Sequence, residues 1–347
     1  MLFGYPIEAT QENWFHECLI QIINTIHDNI IAGNEPPIWP EIIPENYREL
    51  LKNRAGLRDR LEIYKSEYVL LSTTDKNIIN DTIIKQNRIQ ELLACNSNCM
   101  QLEELPDTVQ EPIRELFKFA FSLLSDLKIR DRQYSFIYNT FHKKDCPFCG
   151  CESFDAPGAP REDLDHYLPL SLYPFAGINL TNLVPMGIKC NERYKLAKNI
   201  LLDNLGNRRK AFFPYSDIHI SISLKNSIFF ENDDGILPNW IIDFEPTLDE
   251  CNSWDDIFNI RQRYKRDVLD PSFENWFGCF RKWFLTKKEI LNFNSIYSAL
   301  IIYKQDLNDM DSSGRDFLRP VIFDMFIYQI ENGNERLNNL LNDLVTI

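Results

Sequence analysis

Residues 146–195 read CPFCGCESFDAPGAPREDLDHYLPLSLYPFAGINLTNLVPMGIKCNERYK. Cys146 and Cys149 are separated by two residues, and Asp163, Asp165 and His166 follow on one short segment. The other polar or thiol side chains of interest in this stretch are Asn182, Cys190 and Asn191. No other part of the chain gathers metal-binding side chains at this density, so we take these residues as the candidate functional centre.

The charge of the chain is unevenly distributed. The whole protein carries 37 Lys and Arg against 51 Asp and Glu, a net charge of -14. Residues 141–215 carry 10 basic and 8 acidic side chains, a balance of +2, which leaves -16 for the remainder. An acidic chain does not coat nucleic acid non-specifically, whereas basic side chains beside metal-ligand types suit a substrate that bears phosphate. A solvated helix face explains the same charges equally well.

The apolar pattern indicates no membrane segment. The longest apolar runs are interrupted well short of the ~20 residues that a spanning helix needs. The N-terminal sequence MLFGYPIEATQENW lacks a basic region followed by a long apolar block. We therefore expect a cytoplasmic protein, in which the nine cysteines are mostly reduced thiols and a subset binds metal.

Hydrophobic periodicity divides the chain into three regions. Residues 1–140 show helical spacing throughout, for example at Trp14, Cys18 and Ile22. Residues 216–347 begin with the strand-like alternation IHISISL and then return to helical spacing. We predict an α+β, mostly helical protein with a helical N-terminal region (1–140), a central unit (141–215) and a C-terminal region of short strands followed by helices (216–347).

The order of motifs in the central unit resembles the HNH nuclease family. The resemblance is carried by DH at 165–166, by Pro169, by Asn182 before LV, and by CN at 190–191 followed by Lys195. It covers about fifty of the 347 residues. The resemblance implies a ββα-metal unit, in which two strands and a helix surround one divalent cation.

Hydrolysis of a phosphodiester needs an activated water and a positive charge at the phosphate and leaving oxygen. The resemblance and this chemistry assign Asp165 and Asn191 as oxygen ligands of Mg²⁺ or Mn²⁺ and His166 as the base that takes a proton from water. Asn182 is expected to hold His166 in place. Asp163 is expected to be an accessory group near the metal.

Basic residues follow the last asparagine of the motif. Lys195 and Arg193 are expected to contact the phosphate backbone of the substrate.

A structural zinc site is a second expectation from the resemblance. Many HNH proteins hold zinc with two CxxC pairs, of which Cys146 and Cys149 would be the first. The partner of Cys190 would be residue 187, which is Gly187. Three thiolates leave a tetrahedral site one ligand short unless Cys151, a histidine or water completes it. Buried reduced cysteines without metal remain the alternative.

These features predict an HNH endonuclease that cleaves nucleic acid, with DNA favoured over RNA. The long helical regions resemble those of nuclease subunits in bacterial anti-phage systems, which implies a protein partner, specifically an ATPase. Two alternatives stay open: a non-catalytic, zinc-stabilised adaptor, and an HNH nuclease that cleaves RNA or transfer RNA.

Overall fold

A computed structural model describes residues 1–159, 164–228, 238–291, 293, 295–310 and 314–346. Most of these residues are helical, and the strands form two short two-stranded antiparallel sheets. This confirms the prediction of a mostly helical α+β protein. None of the helices in these ranges is both long enough and apolar enough to cross a bilayer.

The chain forms two compact units. The first, here the N-terminal unit, comprises Gly4–His142 and Phe154–Asp217, and the second, the C-terminal unit, comprises Met1–Phe3, Lys143–Ser153 and Ile218–Ile347. The N-terminal helices and most of the central unit therefore belong to one compact unit.

The N-terminal unit begins with seven α-helices. Their bounds are α1 Trp14–Ile31, α2 Glu45–Leu51, α3 Ala55–Leu70, α4 Thr73–Gln86, α5 Ile89–Leu93, α6 Asp107–Asp126 and α7 Ile129–Thr140. Apolar side chains at three-and-four spacing give α1 and α6 one buried face each. Ser72 caps α4, because its side chain accepts a hydrogen bond from the Asp75 amide at 3.1 Å.

Two short strands follow these helices in the same unit. Strand β1 (Leu164–His166) pairs antiparallel with β2 (Leu183–Pro185), so that Asp165 lies opposite Val184. A π-helix, Cys190–Lys195, comes next. Leu164, Leu183 and the intervening Phe175 are buried in the same hydrophobic core as α1, α3 and α6. Strands β1 and β2 therefore pack against the core that these helices form.

The C-terminal unit contains the second sheet and the remaining helices. Strand β3 (Ser221–Ser223) pairs antiparallel with β4 (Asp243–Glu245). The helices that follow are α8 Asp249–Phe258, α9 Ile260–Arg263, a π-helix Tyr264–Leu269, α10 Asp270–Leu291, α11 Ile296–Asp309, α12 Arg319–Glu331 and α13 Glu335–Thr346. Aromatic rings fill the core here; Phe280, for example, packs on Tyr303 and Phe323 with centroids 5.1 and 5.5 Å away.

Two buried histidines on α1 make the stability of the N-terminal unit dependent on pH. Burial lowers the pKa of His16 to about 4, and burial also lowers that of His27 to about 4 against a smaller opposing effect of the Asn80 hydrogen bond. The His27 ring bonds to Tyr64 Oη through Nε2 at 2.7 Å. Both imidazoles are therefore neutral in the folded protein at neutral pH.

The unfolded chain binds protons at these histidines near pH 6.5, whereas the folded chain does so only near pH 4. We expect the free energy of unfolding to fall as pH drops from about 7 to 4, by up to roughly 3 kcal/mol per histidine. Urea unfolding at pH 7.5, 6 and 5 measures this change. The His27→Gln variant should show a shallower pH dependence, and an unfolding midpoint that stays constant from pH 7.5 to 5 would contradict the prediction.

Candidate active site

The candidate site is built on β1, whose consecutive side chains contact different neighbours. Side chains alternate along a strand, and Asp165 interacts with the π-helix whereas His166 packs on α6. Asp165 has a side chain that is 17% exposed, and His166 is partly buried. The DH pair thus joins two elements that are far apart in sequence.

The His166 ring is held from two directions. Its Nε2 lies 2.8 Å from the carbonyl oxygen of Gly177, and its ring centroid lies 4.3 Å from that of Phe121 on α6. A carbonyl oxygen only accepts hydrogen bonds, so Nε2 carries the proton and the lone pair is on Nδ1. No hydrogen-bond partner of Nδ1 is found in the part of the chain that the structure describes.

The surroundings of His166 favour its neutral form. Burial lowers the pKa of His166 to about 3, the hydrogen bond to Gly177 opposes this, and the charges of Lys195 and Arg130 lower it further. A neutral imidazole with one available lone pair can accept a proton.

Asn182 connects the two segments that flank this histidine. It is fully buried; its Oδ1 accepts a hydrogen bond from the Leu168 amide at 2.7 Å, and its Nδ2 donates to the carbonyls of Leu168 and Ala176 at 3.0 and 3.2 Å. Leu168 follows His166 by two residues, and Ala176 precedes the Gly177 that holds the ring. Asn182 therefore fixes both the strand end and the carbonyl that orient His166.

The π-helix places Lys195 against β1. The Lys195 Nζ lies 2.7 Å from Asp165 Oδ2, and the lysine side chain is only 1% exposed. Desolvation lowers the pKa of Lys195, while Asp165 opposes that shift. Residues four apart share a helix face, so Asn191 and Lys195 lie on the same side of this turn. Within the described residues, the Asn191 side chain has no hydrogen-bond partner.

The sequence analysis predicted that Lys195 contacts the substrate phosphate, whereas in the structure its ammonium contacts Asp165. That role needs an ammonium that reaches solvent, whereas this one is enclosed and paired with a carboxylate. Arg193 lies on another side of the turn and is exposed. Asp163, predicted as an accessory group, lies outside the described residues.

Two further residues at the site were missed by the sequence analysis. Arg130 of α7 places its guanidinium 4.9 Å from the Phe121 ring centroid, and Phe121 in turn packs on His166. Arg130 is only 8% exposed. The four-residue spacing of Phe117 and Phe121 was the available signal for Phe121. A single arginine in an ordinary helix gives no such signal.

The cysteine motif forms a tight turn. The amides of Cys149 and Gly150 donate to the Cys146 carbonyl at 3.1 and 2.7 Å, and the Cys151 amide lies 3.4 Å from the Cys149 sulfur. Gly150 has a φ of 65°, a conformation that favours glycine. An amide directed at sulfur stabilises thiolate character, as a metal ligand requires.

The thiols of Cys146, Cys149 and Cys190 are buried, and their sulfurs lie within 4.8 Å of one another. This cluster could hold a metal ion. None of the nine cysteines forms a disulfide.

Comparison with protein-family models, curated proteins and solved structures yields no match to this chain. The assignment of the site therefore depends on the chemistry of its own residues.

Proposed function

We propose that this protein is a metal-dependent endonuclease of the HNH type that hydrolyses phosphodiester bonds of nucleic acid, with DNA favoured. One observation carries the proposal: Lys195 of the π-helix contacts Asp165 of β1, with its Nζ 2.7 Å from Oδ2. The turn that bears Asn191 is therefore folded against the strand that bears the DH pair. The chain order of strand, strand and helix agrees with a ββα unit.

His166 would act as the general base in this reaction. Its Nε2 donates a hydrogen bond to the Gly177 carbonyl oxygen, so Nδ1 is the atom that would take a proton from the attacking water. Burial keeps the pKa of His166 low, so the imidazole is neutral at physiological pH, as a base must be before the reaction, although the same burial makes it a weaker base than a free imidazole. Asn182 and Phe121 would act as positioning residues for the ring, since one fixes the backbone around it and the other packs on its face.

Asp165 and Asn191 offer oxygen atoms, the ligand type that Mg²⁺ and Mn²⁺ prefer. A bound divalent cation would neutralise charge on the phosphate and the leaving oxygen. Arg193, which is exposed on the same π-helix, would contact the substrate backbone. Lys195 would act on Asp165 rather than on the substrate.

The biological setting follows from the family resemblance alone. We propose that the protein acts as an anti-phage effector on nucleic acid in the cytoplasm, together with a protein partner of the ATPase class. The acidic balance outside the central unit favours a protein partner over bare DNA at those surfaces. Recovery of a large ATPase with the tagged chain would support the partnership, whereas an active lone monomer would argue against it.

The decisive test of the proposed activity is incubation of the purified chain, together with any partner that co-purifies with it, with matched DNA and RNA pools in Mg²⁺ or Mn²⁺. Cleavage of DNA that stops on addition of EDTA, and that the Asp165→Asn variant lacks, is the expected result. Cleavage confined to RNA would move the proposal to the RNA-cleaving alternative. Absence of cleavage of both pools, with and without the co-purifying partner, would contradict the proposed activity.

We also propose that Cys146, Cys149 and Cys190 bind a structural Zn²⁺ ion, with a fourth ligand from Cys151, a histidine or water. The protein purified from zinc-supplemented medium is expected to contain about one equivalent of zinc. Cys146→Ser should reduce this to a small fraction, because loss of one of three thiolates removes most of the affinity. Metal analysis by mass spectrometry measures both.

The control for the zinc prediction is Cys279→Ser, since Cys279 of α10 is outside the thiol cluster. This variant should keep its zinc. A wild-type protein that is free of zinc, or a Cys146→Ser variant that retains it, would contradict the zinc site.

The competing function, a non-catalytic zinc-stabilised adaptor, is favoured by one observation: the three clustered thiols form the more complete ligand set. An adaptor should bind zinc without any weaker Mn²⁺ site that disappears in Asp165→Asn. Titration with Mn²⁺ therefore separates the two proposals.

A further inference from the structure

Asp165, which the proposed function assigns as a ligand of the divalent cation, forms a buried ion pair with Lys195. The Lys195 Nζ lies 2.7 Å from Asp165 Oδ2, and the exposed fractions of the two side chains are 1% and 17%. The same ammonium donates a hydrogen bond to the Leu196 carbonyl at 3.2 Å. Lys195 is therefore held by protein atoms and excluded from water.

Because this ion pair is buried, the two charges interact strongly. Charge interactions are weakly screened away from water, so an ammonium in contact with Asp165 cancels most of the carboxylate's attraction for another cation. Arg130 adds a second positive charge in this region, since its guanidinium lies 4.9 Å from the centroid of Phe121, the ring that packs on His166. The ammonium of Lys195 in contact with Asp165 is therefore unfavourable for a dication at this carboxylate.

We infer that Lys195 competes with the divalent cation for Asp165, so that the cation binds this carboxylate only when the Lys195–Asp165 ion pair opens. The inference rests on the proposed function for the identity of the metal ligand. It adds a role for Lys195 that differs from phosphate binding. It also predicts that the isolated protein binds the cation weakly.

The alternative role for Lys195 is to hold the Asp165 carboxylate in the orientation that binds the cation. The two roles give opposite results when the ammonium is removed. Competition predicts tighter cation binding without the ammonium, whereas orientation predicts weaker binding.

The test is direct Mn²⁺ binding, followed by electron paramagnetic resonance of the free ion, without any activity measurement. Lys195→Met removes the charge but keeps an unbranched apolar side chain, and it should lower the Mn²⁺ dissociation constant by about tenfold or more. Lys195→Arg keeps the charge and should remain within about threefold of wild type. The double variant Asp165→Asn, Lys195→Met should lose the tight site.

A second measurement uses the wild-type chain, in case Lys195→Met fails to fold. Acetylation of lysines by a water-soluble reagent, quantified by peptide mass spectrometry, should be slow at Lys195 and faster at saturating Mn²⁺. Lys118, whose side chain is 71% exposed, should be acetylated equally in both conditions.

The outcomes separate this inference from the proposed function. If wild type binds Mn²⁺ through Asp165 while Lys195→Met binds it equally or more weakly, the competition is refuted and the metal site stands. Unchanged Lys195 acetylation at saturating Mn²⁺ also refutes it. If neither wild type nor Lys195→Met binds Mn²⁺, both the competition and the proposed metal site fail.

Discussion

Replacement of His166 by alanine is expected to lower the rate of nucleic acid cleavage by about 10²–10⁴-fold, the usual contribution of a general base. The proposed base is Nδ1, because Nε2 donates a hydrogen bond to the Gly177 carbonyl oxygen at 2.8 Å. The ring makes no other hydrogen bond within the described residues, so the variant loses one bond and a partly buried ring. Single-turnover cleavage at saturating Mg²⁺ or Mn²⁺ measures the chemical step directly.

The matched control is His142→Ala, since His142 is an exposed histidine two residues after the end of α7. Its cleavage rate should stay within about twofold of wild type. Thermal unfolding of both variants shows whether the histidine replacements alter the fold. If His166→Ala cleaved at the wild-type rate with metal supplied, His166 would not be the base, and Nδ1 would have no catalytic role.

The sequence predicted helices well where a single apolar face extends over several turns. α1 and α6 lie where the three-and-four spacing of their apolar residues placed them. Local breaks were harder to predict: apolar residues from Asn46 to Tyr64 have the spacing of one long helix, whereas the structure divides this segment into α2 and α3 at 52–54. The strands are also shorter than the alternation at IHISISL suggested, since β3 covers only Ser221–Ser223. A short strand depends on its partner, and partners are not visible in a local pattern.

The candidate site was predictable to the extent that its residues lie close in sequence. Asp165, His166 and Asn182 occur in one short segment, and the structure places the first two on β1 and Asn182 in the 3-10 turn directly before β2. Phe121 and Arg130 belong to helices more than thirty residues away, so only the fold brings them to His166. The Lys195–Asp165 ion pair was missed for a different reason. Sequence shows that a lysine is near the motif but not which face of the turn it occupies.

Replacement of Asn182 by alanine is expected to destabilise the N-terminal unit by about 3–5 kcal/mol. The fully buried amide satisfies the Leu168 amide and two carbonyls, those of Leu168 and Ala176. Each buried polar group left without a partner costs about 1–3 kcal/mol. For a unit of this size, the loss corresponds to a fall in Tm of roughly 10 °C. Differential scanning calorimetry and urea unfolding measure it.

The control for this variant is Asn53→Ala, because Asn53 is exposed between α2 and α3 and its side chain makes no hydrogen bond within the described residues. That replacement should change the free energy of unfolding by less than about 0.5 kcal/mol. The bonds of Asn182 also fix Leu168 and Ala176, which flank the elements that orient His166. Hydrogen exchange of the 164–185 peptides should therefore accelerate in Asn182→Ala below its Tm. A loss of less than about 1 kcal/mol with unchanged exchange would mean that β1 and Gly177 hold His166 without this asparagine.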